Sequence, residues 1–421
     1  MHTYRRDLDM LRERSFALLL VARTISVLGT SFAPVALAFG VLALPGATAT
    51  TLSVVLTAES LPMVVFMLVG GVIADRLPRH RVMMAGEALN AVAFFCLAAM
   101  LLTGWTPLPA LATAAAFSGV SMAVLFPALT GIVPDVVPAE RLQTANALLG
   151  LGTNISRVAG LVLGGAMVVL LGSGWALALS GAMFSVAGVL VAALRLTPAE
   201  RSAEERHSVL ADLRGGWREF SSRQWLWVVV AQFSVLVLAI QAAHGVLGPL
   251  VAKEQLGGAS AWSAVLAGEA VGMIAGVFVT LRLRPRRPIL VATLLTLPSA
   301  LPYLLLGIGA PLWTIILGAV VMGVCFDVFG VLWNTTMQRE IPAESLSRVS
   351  SYDALGSLMF GPIGLMLAGP AAIVIGPRGA LLGCAAIVLL ASLAALLSPG
   401  VRGLRAPDPA EEAVGTAVRE G

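Results

Sequence analysis

The chain has 421 residues, of which 58% are hydrophobic and 12% are charged, and its mean hydropathy is +0.91. Soluble domains are roughly 45–50% apolar and about 25% charged, so this composition excludes a soluble enzyme, a disordered chain, a coiled coil and a disulfide scaffold. The net charge is +4, but most basic residues stand in short clusters between apolar runs, as topology signals do, which excludes a nucleic-acid partner.

Twelve apolar stretches are long enough to cross a bilayer, which takes about 20 mostly apolar residues each. Turn residues such as Pro45-Gly46 and Gly376-Pro377 separate them. Tryptophans at or near the span ends, among them Trp105, Trp262 and Trp333, are interpreted as interfacial anchors. The sequence therefore predicts an all-α membrane protein with twelve transmembrane helices. The predicted spans are 16–44, 50–73, 82–103, 108–133, 142–171, 174–195, 225–251, 260–282, 288–307, 312–336, 346–375 and 379–398.

The basic residues predict the orientation of these spans. Arginines crowd the N-terminus and alternate loops, whereas the opposite loops hold only Lys253 and Arg378. By the positive-inside rule, both termini are cytoplasmic. The one long connection between spans, at residues 196–224, is predicted to be an amphipathic helix on the inner leaflet. A solvated linker is the alternative. The predicted organisation is a six-helix half at 1–195, the linker at 196–224, a second six-helix half at 225–400 and a disordered cytoplasmic tail at 401–421.

The two halves resemble copies of each other. Residues 138–142 (PAERL) match residues 342–346 (PAESL), and Gly152 then matches Gly356 at the same offset. Several matches at one offset, each in the same loop of its half, indicate a parallel duplication. Parallel six-helix halves are one of the transporter architectures, with substrate bound near the midplane between them.

A loop motif after the second span suggests a family. Residues 70–81 read GGVIADRLPRHR. This resembles the loop 2–3 signature of the major facilitator superfamily, Gly-x-x-x-Asp-Arg followed by a turn and further bases. The turn residue is Pro78 where the pattern usually has Gly, and the second-half copy has Thr280 at the Asp position. The matching positions are Gly71, Asp75, Arg76, Arg79 and Arg81.

The resemblance implies a role for this motif. In the superfamily the aspartate caps the start of helix 11 and holds the cytoplasmic side shut. A carboxylate at a helix N-terminus is favoured by roughly 0.3–1 kcal/mol, which suits a reversible latch. We therefore expect Asp75, with its neighbouring arginines and Asp353, to form a conformational latch. The alternative is that the arginines only fix topology, and that Asp353 and Glu87 pair at helix interfaces.

Two partial signatures point to a branch of the superfamily. Residues 160–165 (GLVLGG) are similar to the Gly-Pro-x-x-Gly-Gly antiporter pattern, with Leu161 in place of Pro, although plain helix packing explains the small residues equally well. Span 4 lacks the arginine found in many drug–proton antiporters. Spans 1, 2 and 4 look most like the bacterial macrolide and siderophore exporters.

Polar side chains inside apolar spans are functional candidates, because burying them in lipid is expensive. Residue counting places Glu59, Arg157 and Glu269 near the midplane. We expect Glu59 and Asp327 to be proton or cation sites, and Arg157 to pair with Glu269. His244 is interpreted as an interhelical hydrogen-bonding residue, with a proton relay as the alternative. The predicted coupling and cavity residues are Arg23, Glu59, Arg157, Gln241, His244, Glu269, Asp327 and Asn334.

The sequence shows no nucleophile–base set, Walker loop, HExxH or dinucleotide fingerprint. We therefore expect neither an enzyme nor a cofactor, and the three cysteines and four histidines form no metal-binding pattern. The predicted function is secondary transport by a monomer in the bacterial inner membrane, exporting an amphipathic small molecule or drug against protons. Membrane lipid is the other expected partner. The alternatives are a lysophospholipid or lipid flippase, an uptake permease, or a membrane enzyme that reuses the fold.

Overall fold

The computed structural model describes residues 10–138, 141–194 and 217–405, and every regular element in these ranges is helical. Eleven helices among them are long and apolar enough to cross a membrane. The main helices are α1 (Arg14–Leu42), α2 (Ala49–Arg76), α3 (Arg79–Thr103), α4 (Leu108–Gly131), α5 (Leu142–Leu171), α6 (Ser173–Ala192), α7 (Gln224–Leu256), α8 (Ala259–Thr280), α9 (Pro288–Ile308), α10 (Leu312–Glu340), α11 (Ala343–Leu358) and α12 (Gly361–Leu396).

Helix α12 contains a break where the sequence predicts a turn. Gly376 has φ 76° and ψ 157°, which lies outside the helical region. Residues that carry a side chain rarely adopt this backbone conformation. Pro377 follows it. The apolar stretch Arg348–Leu396, which runs through α11 and α12, counts as one of the eleven candidate spans. At about 1.5 Å per residue its 49 residues exceed the roughly 30 Å of a bilayer core more than twofold.

Two helices depart from the regular spans that hydropathy predicts. Helix α7 continues past the predicted end at residue 251, through the π-helical segments Ala243–Leu247 and Ala252–Leu256. Helix α9 is interrupted by the 3-10 turn Leu297–Ala300, next to Pro298. Proline lacks the N–H group that a helix interior needs, so the chain tightens there.

The described residues form two compact units, each with a core of its own. Unit 1 comprises residues 1–202, 241–267 and 362–380, and unit 2 comprises 203–240, 268–361 and 381–421. The unit 1 core includes Phe16, Leu19 and Leu125, all buried. Most of the predicted amphipathic linker and most of the tail lie outside the described residues. At the C-terminal end of the linker, residues 217–222 are helical, and α7 then begins at residue 224.

Glycines bring spanning helices into backbone contact. In unit 2, Gly268, Gly272 and Gly276 lie four residues apart on α8, and each faces α10. A Cβ added at Gly272 would overlap the carbonyl oxygen of Val320. Small residues serve this purpose in membranes, where close packing rather than a hydrophobic force holds helices together.

The tryptophans divide into two classes. Trp105, Trp175 and Trp313 are exposed, as interfacial anchors would be. The same interpretation is wrong for Trp262 and Trp333, which are buried and pack against other helices. Hydropathy places a residue along a span but does not give the face that it occupies, and this explains the difference.

Candidate functional site

Glu59 lies at the contact between α2 and α4 in unit 1. The hydroxyl of Ser118 donates to Glu59 Oε1 at 3.3 Å. Ser118 is buried and Glu59 is half-buried. The next residue on α4, Gly119, faces the Glu59 backbone so closely that a Cβ there would overlap its carbonyl oxygen. The glycine thus allows the approach that brings the serine to the carboxylate.

Unit 2 repeats this arrangement with α8 and α10. Gly323 of α10 faces the carbonyl oxygen of Glu269 as Gly119 faces that of Glu59. One turn further along α10, a Cβ added at Gly276 of α8 would lie 2.6 Å from Cβ of Asp327. Oδ2 of Asp327 is buried without a hydrogen-bond partner among the described residues. The structure therefore places the two predicted acids, Glu269 and Asp327, on one helix pair.

His244 lies in the first π-helical segment of α7. Its ring meets the buried indole of Trp262 on α8 edge-on, with centroids 6.0 Å apart. The same indole covers Gly248, where a Cβ would overlap it. Short π-helical segments inside α-helices are frequent at functional sites. Gln241, three residues before His244, is half-buried on the same helix.

The loop motif has a partner that sequence reasoning missed. Arg79 Nη1 lies 3.2 Å from Oδ1 of Asp135, which belongs to the short helix Val133–Val136. Arg81 is exposed. The side chains of Asp75 and Arg76 and the surroundings of Gly71 lie outside what the structure describes, so the predicted latch of Asp75 stays a prediction.

Asp353 on α11 accepts two hydrogen bonds in unit 2. Trp333 Nε1 of α10 donates to Oδ2 at 3.1 Å, and Ser357 donates to Oδ1 at 3.3 Å. Asn334, the neighbour of Trp333, is exposed and donates to the carbonyl oxygen of Gly330 in its own helix at 2.8 Å. Asp353 thus joins α10 to α11, whereas the amide of Asn334 is used within α10.

The two predicted arginines occupy different environments in unit 1. Arg23 is half-buried on α1, and Arg157 is exposed on α5. Glu269, the predicted partner of Arg157, belongs to unit 2. That pairing remains a prediction.

The partial antiporter pattern on α5 is a packing surface. A Cβ at Gly160 would lie 2.6 Å from Cβ of Ser31, and one at Gly164 would lie 3.0 Å from the Cα of Phe32, both on α1. Gly165 faces Ser263 of α8 still more closely. The three glycines therefore admit two neighbouring helices within unit 1.

Residues 15–357 match the family model described as Major Facilitator Superfamily. The chain belongs to this superfamily. The facilitator is 27% identical over 332 residues to the enterobactin exporter EntS of Shigella boydii and to that of Escherichia coli strain HS. Each alignment covers 75% of this chain and 77% of the relative. The fold and the exporter relatives confirm a multi-pass membrane transporter.

Solved structures share the fold of this facilitator. The nucleoside transporter NupG has a TM-score of 0.72 at 14% identity, and the match covers 91% of this chain and 98% of NupG. A POT family transporter in complex with 5-aminolevulinic acid has a TM-score of 0.73 at 14% identity, covering 92% of this chain and 97% of its own. At such identities the likeness concerns the fold alone.

Proposed function

We propose that this facilitator is a proton-coupled exporter of an amphipathic small molecule in the bacterial inner membrane. Similarity to enterobactin exporters over three quarters of the chain supports export as the direction of transport. It also suggests siderophore-like or drug-like substrates. This similarity is the observation that carries the proposal. The helical break at Gly376 supports counting Arg348–Leu396 as two spans, hence twelve in all with both termini cytoplasmic.

Acids on spanning helices support the coupling to an ion. Glu59 and Asp327 each sit where a glycine draws two helices together, and an oxygen of Asp327 is buried without a partner among the described residues. Ionisable groups at such depth are costly, so they mark ion or substrate pathways. We assign proton coupling to these two acids. Substrate-cavity roles fall to Arg23, Arg157, Gln241, His244, Glu269 and Asn334.

The loop motif supplies the switch in this scheme. Asp75 with Gly71, Arg76, Arg79, Arg81 and Asp353 would hold the cytoplasmic side shut in one state and release it in the other. Contacts such as the Arg79–Asp135 pair support the scheme because they tie neighbouring loops together with little net stability.

The substrate is found by an accumulation panel. Bacterial cells with and without the protein are loaded with enterobactin, macrolides and lipophilic dyes, and retained compound is measured. The proposal expects lower retention of at least one amphipathic compound when the protein is present. Equal retention of every compound, or higher retention with the protein, contradicts export.

A further inference from the structure

An acid is sealed inside the first six helices. Glu87 on α3 exposes 1% of its surface, and Asn90, one turn along the same helix, exposes 0%. Ser26 of α1, also buried, faces the Glu87 carboxyl group. On the other side, a Cβ at Gly188 of α6 would lie 3.3 Å from Cβ of Glu87. The carboxyl group is therefore enclosed by three helices of unit 1.

This enclosure leaves polar atoms unsatisfied. Glu87 Oε2 and both amide atoms of Asn90 are buried with no hydrogen-bond partner among the described residues. A buried polar group without a partner costs about 1–3 kcal/mol, and more when it is charged. Buried polar atoms in native proteins are nearly always paired, so an unpaired cluster calls for a ligand or a proton.

Within the described ranges, no counter-ion pairs with Glu87. Helices α4 and α6 carry no ionisable side chain. On α1 the charged group nearest Ser26 in sequence is Arg23, and no hydrogen bond or ion pair joins it to Glu87 among the described contacts. On α2 Glu59 is committed to Ser118. The remaining ionic or titratable groups on α1, α2 and α3 lie near the ends of these helices. They are Arg14 of α1, Asp75 and Arg76 of α2, and Arg79, His80 and Arg81 of α3.

Protonation of Glu87 relieves part of this imbalance. A carboxylate that takes up one proton becomes a carboxylic acid, with a single O–H bond formed and no other bond changed. The acid then has a donor to offer as well as acceptors. Asn90 carries an acceptor oxygen three residues along the helix, and side chains at that spacing are neighbours. The Ser26 hydroxyl is the second polar group that faces this carboxyl group.

The second half of the chain provides an internal comparison. Thr293 follows Glu87 by 206 residues, Gln232 follows Ser26 by 206, Thr296 follows Asn90 by 206 and Ser392 follows Gly188 by 204. These offsets lie within two residues of the repeat offset of 204 between Gly152 and Gly356.

The counterparts in unit 2 are neutral and, apart from Gln232 Oε1, hydrogen-bonded. Gln232 Nε2 donates to Thr296 Oγ1 at 2.8 Å and to Ser392 Oγ at 3.2 Å, and the two hydroxyls lie 2.7 Å apart. Thr293 donates to the carbonyl oxygen of Ile289 at 2.8 Å. The duplicated position thus uses a threonine where the first half carries an acid.

We propose that Glu87 is a proton-binding site, with Ser26 and Asn90 as its hydrogen-bonding partners. Proton uptake and release at this site act together with Glu59 and Asp327 in the transport cycle, a second claim that rests on the proposed function. The site is distinct from Glu59 and Asp327.

Infrared spectroscopy tests the proton site without a substrate. Difference spectra between acidic and alkaline pH are recorded for the purified protein and for the variants Glu87→Gln and Glu254→Gln. Glu254 is exposed at the end of α7 and serves as the matched control. The proposal expects a carboxylic-acid carbonyl band that Glu87→Gln removes and Glu254→Gln retains. Identical spectra for the wild type and Glu87→Gln overturn it.

Proteoliposomes test the link to transport. The probe is the compound that the accumulation panel identifies, and an intact thermal transition shows that Glu87→Gln folds. Glu87→Gln is expected to keep downhill exchange and to lose accumulation against a gradient, with partial rescue in Glu87→Asp. If accumulation of the probe by the wild type does not depend on the pH gradient, the proposed function fails, whatever the infrared spectra show. If the wild type follows it and Glu87→Gln follows it equally, the role of Glu87 in the cycle fails alone.

Discussion

Arg79 Nη1 and Asp135 Oδ1 lie 3.2 Å apart, which ties the start of α3 to the short helix Val133–Val136 after α4. Both side chains are about one quarter exposed (24% each). The arginine of the loop motif is therefore held by a carboxylate 56 residues away, in a loop that the motif does not include.

Asp135→Asn is expected to slow transport more than it lowers stability. Partly exposed ion pairs contribute about 0.2–1 kcal/mol, so the loss in unfolding free energy stays within about 1 kcal/mol, whereas Arg79 loses the charge of the carboxylate beside it. Transport rate and thermal unfolding are measured together. Glu13→Gln is the control, because it breaks the more exposed pair with Arg141 (2.5 Å). A rate as high as that of the control contradicts a role for the Arg79 pair.

Glu59→Gln and Asp327→Asn are expected to abolish accumulation against a gradient while sparing exchange, since an amide keeps the size of the carboxyl group but cannot carry the proton. Ser118→Ala removes only the donor at 3.3 Å and should keep coupling. Uptake into proteoliposomes with and without a pH gradient measures both properties. If both amide variants still concentrate the probe, coupling lies elsewhere.

Gly323→Ala is expected to destabilise the protein, because the added methyl group overlaps the backbone of Glu269. Overpacking of this kind costs typically about 1–3 kcal/mol. Gly330→Ala on the same helix is the matched control, since nothing lies within 4 Å of its Cβ position. Thermal unfolding in detergent compares the two. Equal stability of the two variants would show that α8 and α10 do not pack backbone to backbone.

Lys253→Met is expected to weaken the end of α1. The ammonium group of Lys253 donates to the carbonyl oxygen of Leu42, the last residue of that helix. A cation at a helix C-terminus stabilises it by roughly 0.3–1 kcal/mol, so a loss of that size is predicted for Met. Lys253→Arg preserves the charge and should keep most of the stability in the same unfolding assay. Equal losses of stability in Lys253→Met and Lys253→Arg would show that the positive charge does not stabilise the end of α1.

Much of the fold follows from hydropathy, because a spanning helix needs a continuous apolar stretch and a turn on each side. The break at Gly376 was predictable from its Gly-Pro pair. The π-helical segments of α7 were not, because the apolar pattern of a sequence does not distinguish i→i+4 from i→i+5 hydrogen bonding within a helix. The irregular turn in α9 contains Pro298. This proline was a sequence signal for the turn, but the span prediction did not use it.

The site was predictable in composition and less so in geometry. Depth along a span selected Glu59, Glu269 and Asp327. It did not select Asp135, whose importance arises from its distance to Arg79, nor the enclosure of Glu87 by α1 and α6. Burial and pairing depend on which face of a helix meets its neighbour, and residue counting along one span does not contain that information.

Coupling of export to protons is tested most directly in inside-out vesicles, whose lumen corresponds to the outer face of the membrane. The accumulation of the probe compound is followed after the lumen is acidified, and a protonophore is then added. The account predicts accumulation that grows with the acidity of the lumen, collapses on addition of the protonophore, and is absent from vesicles lacking the protein. Accumulation that persists unchanged after the pH gradient is dissipated would contradict it.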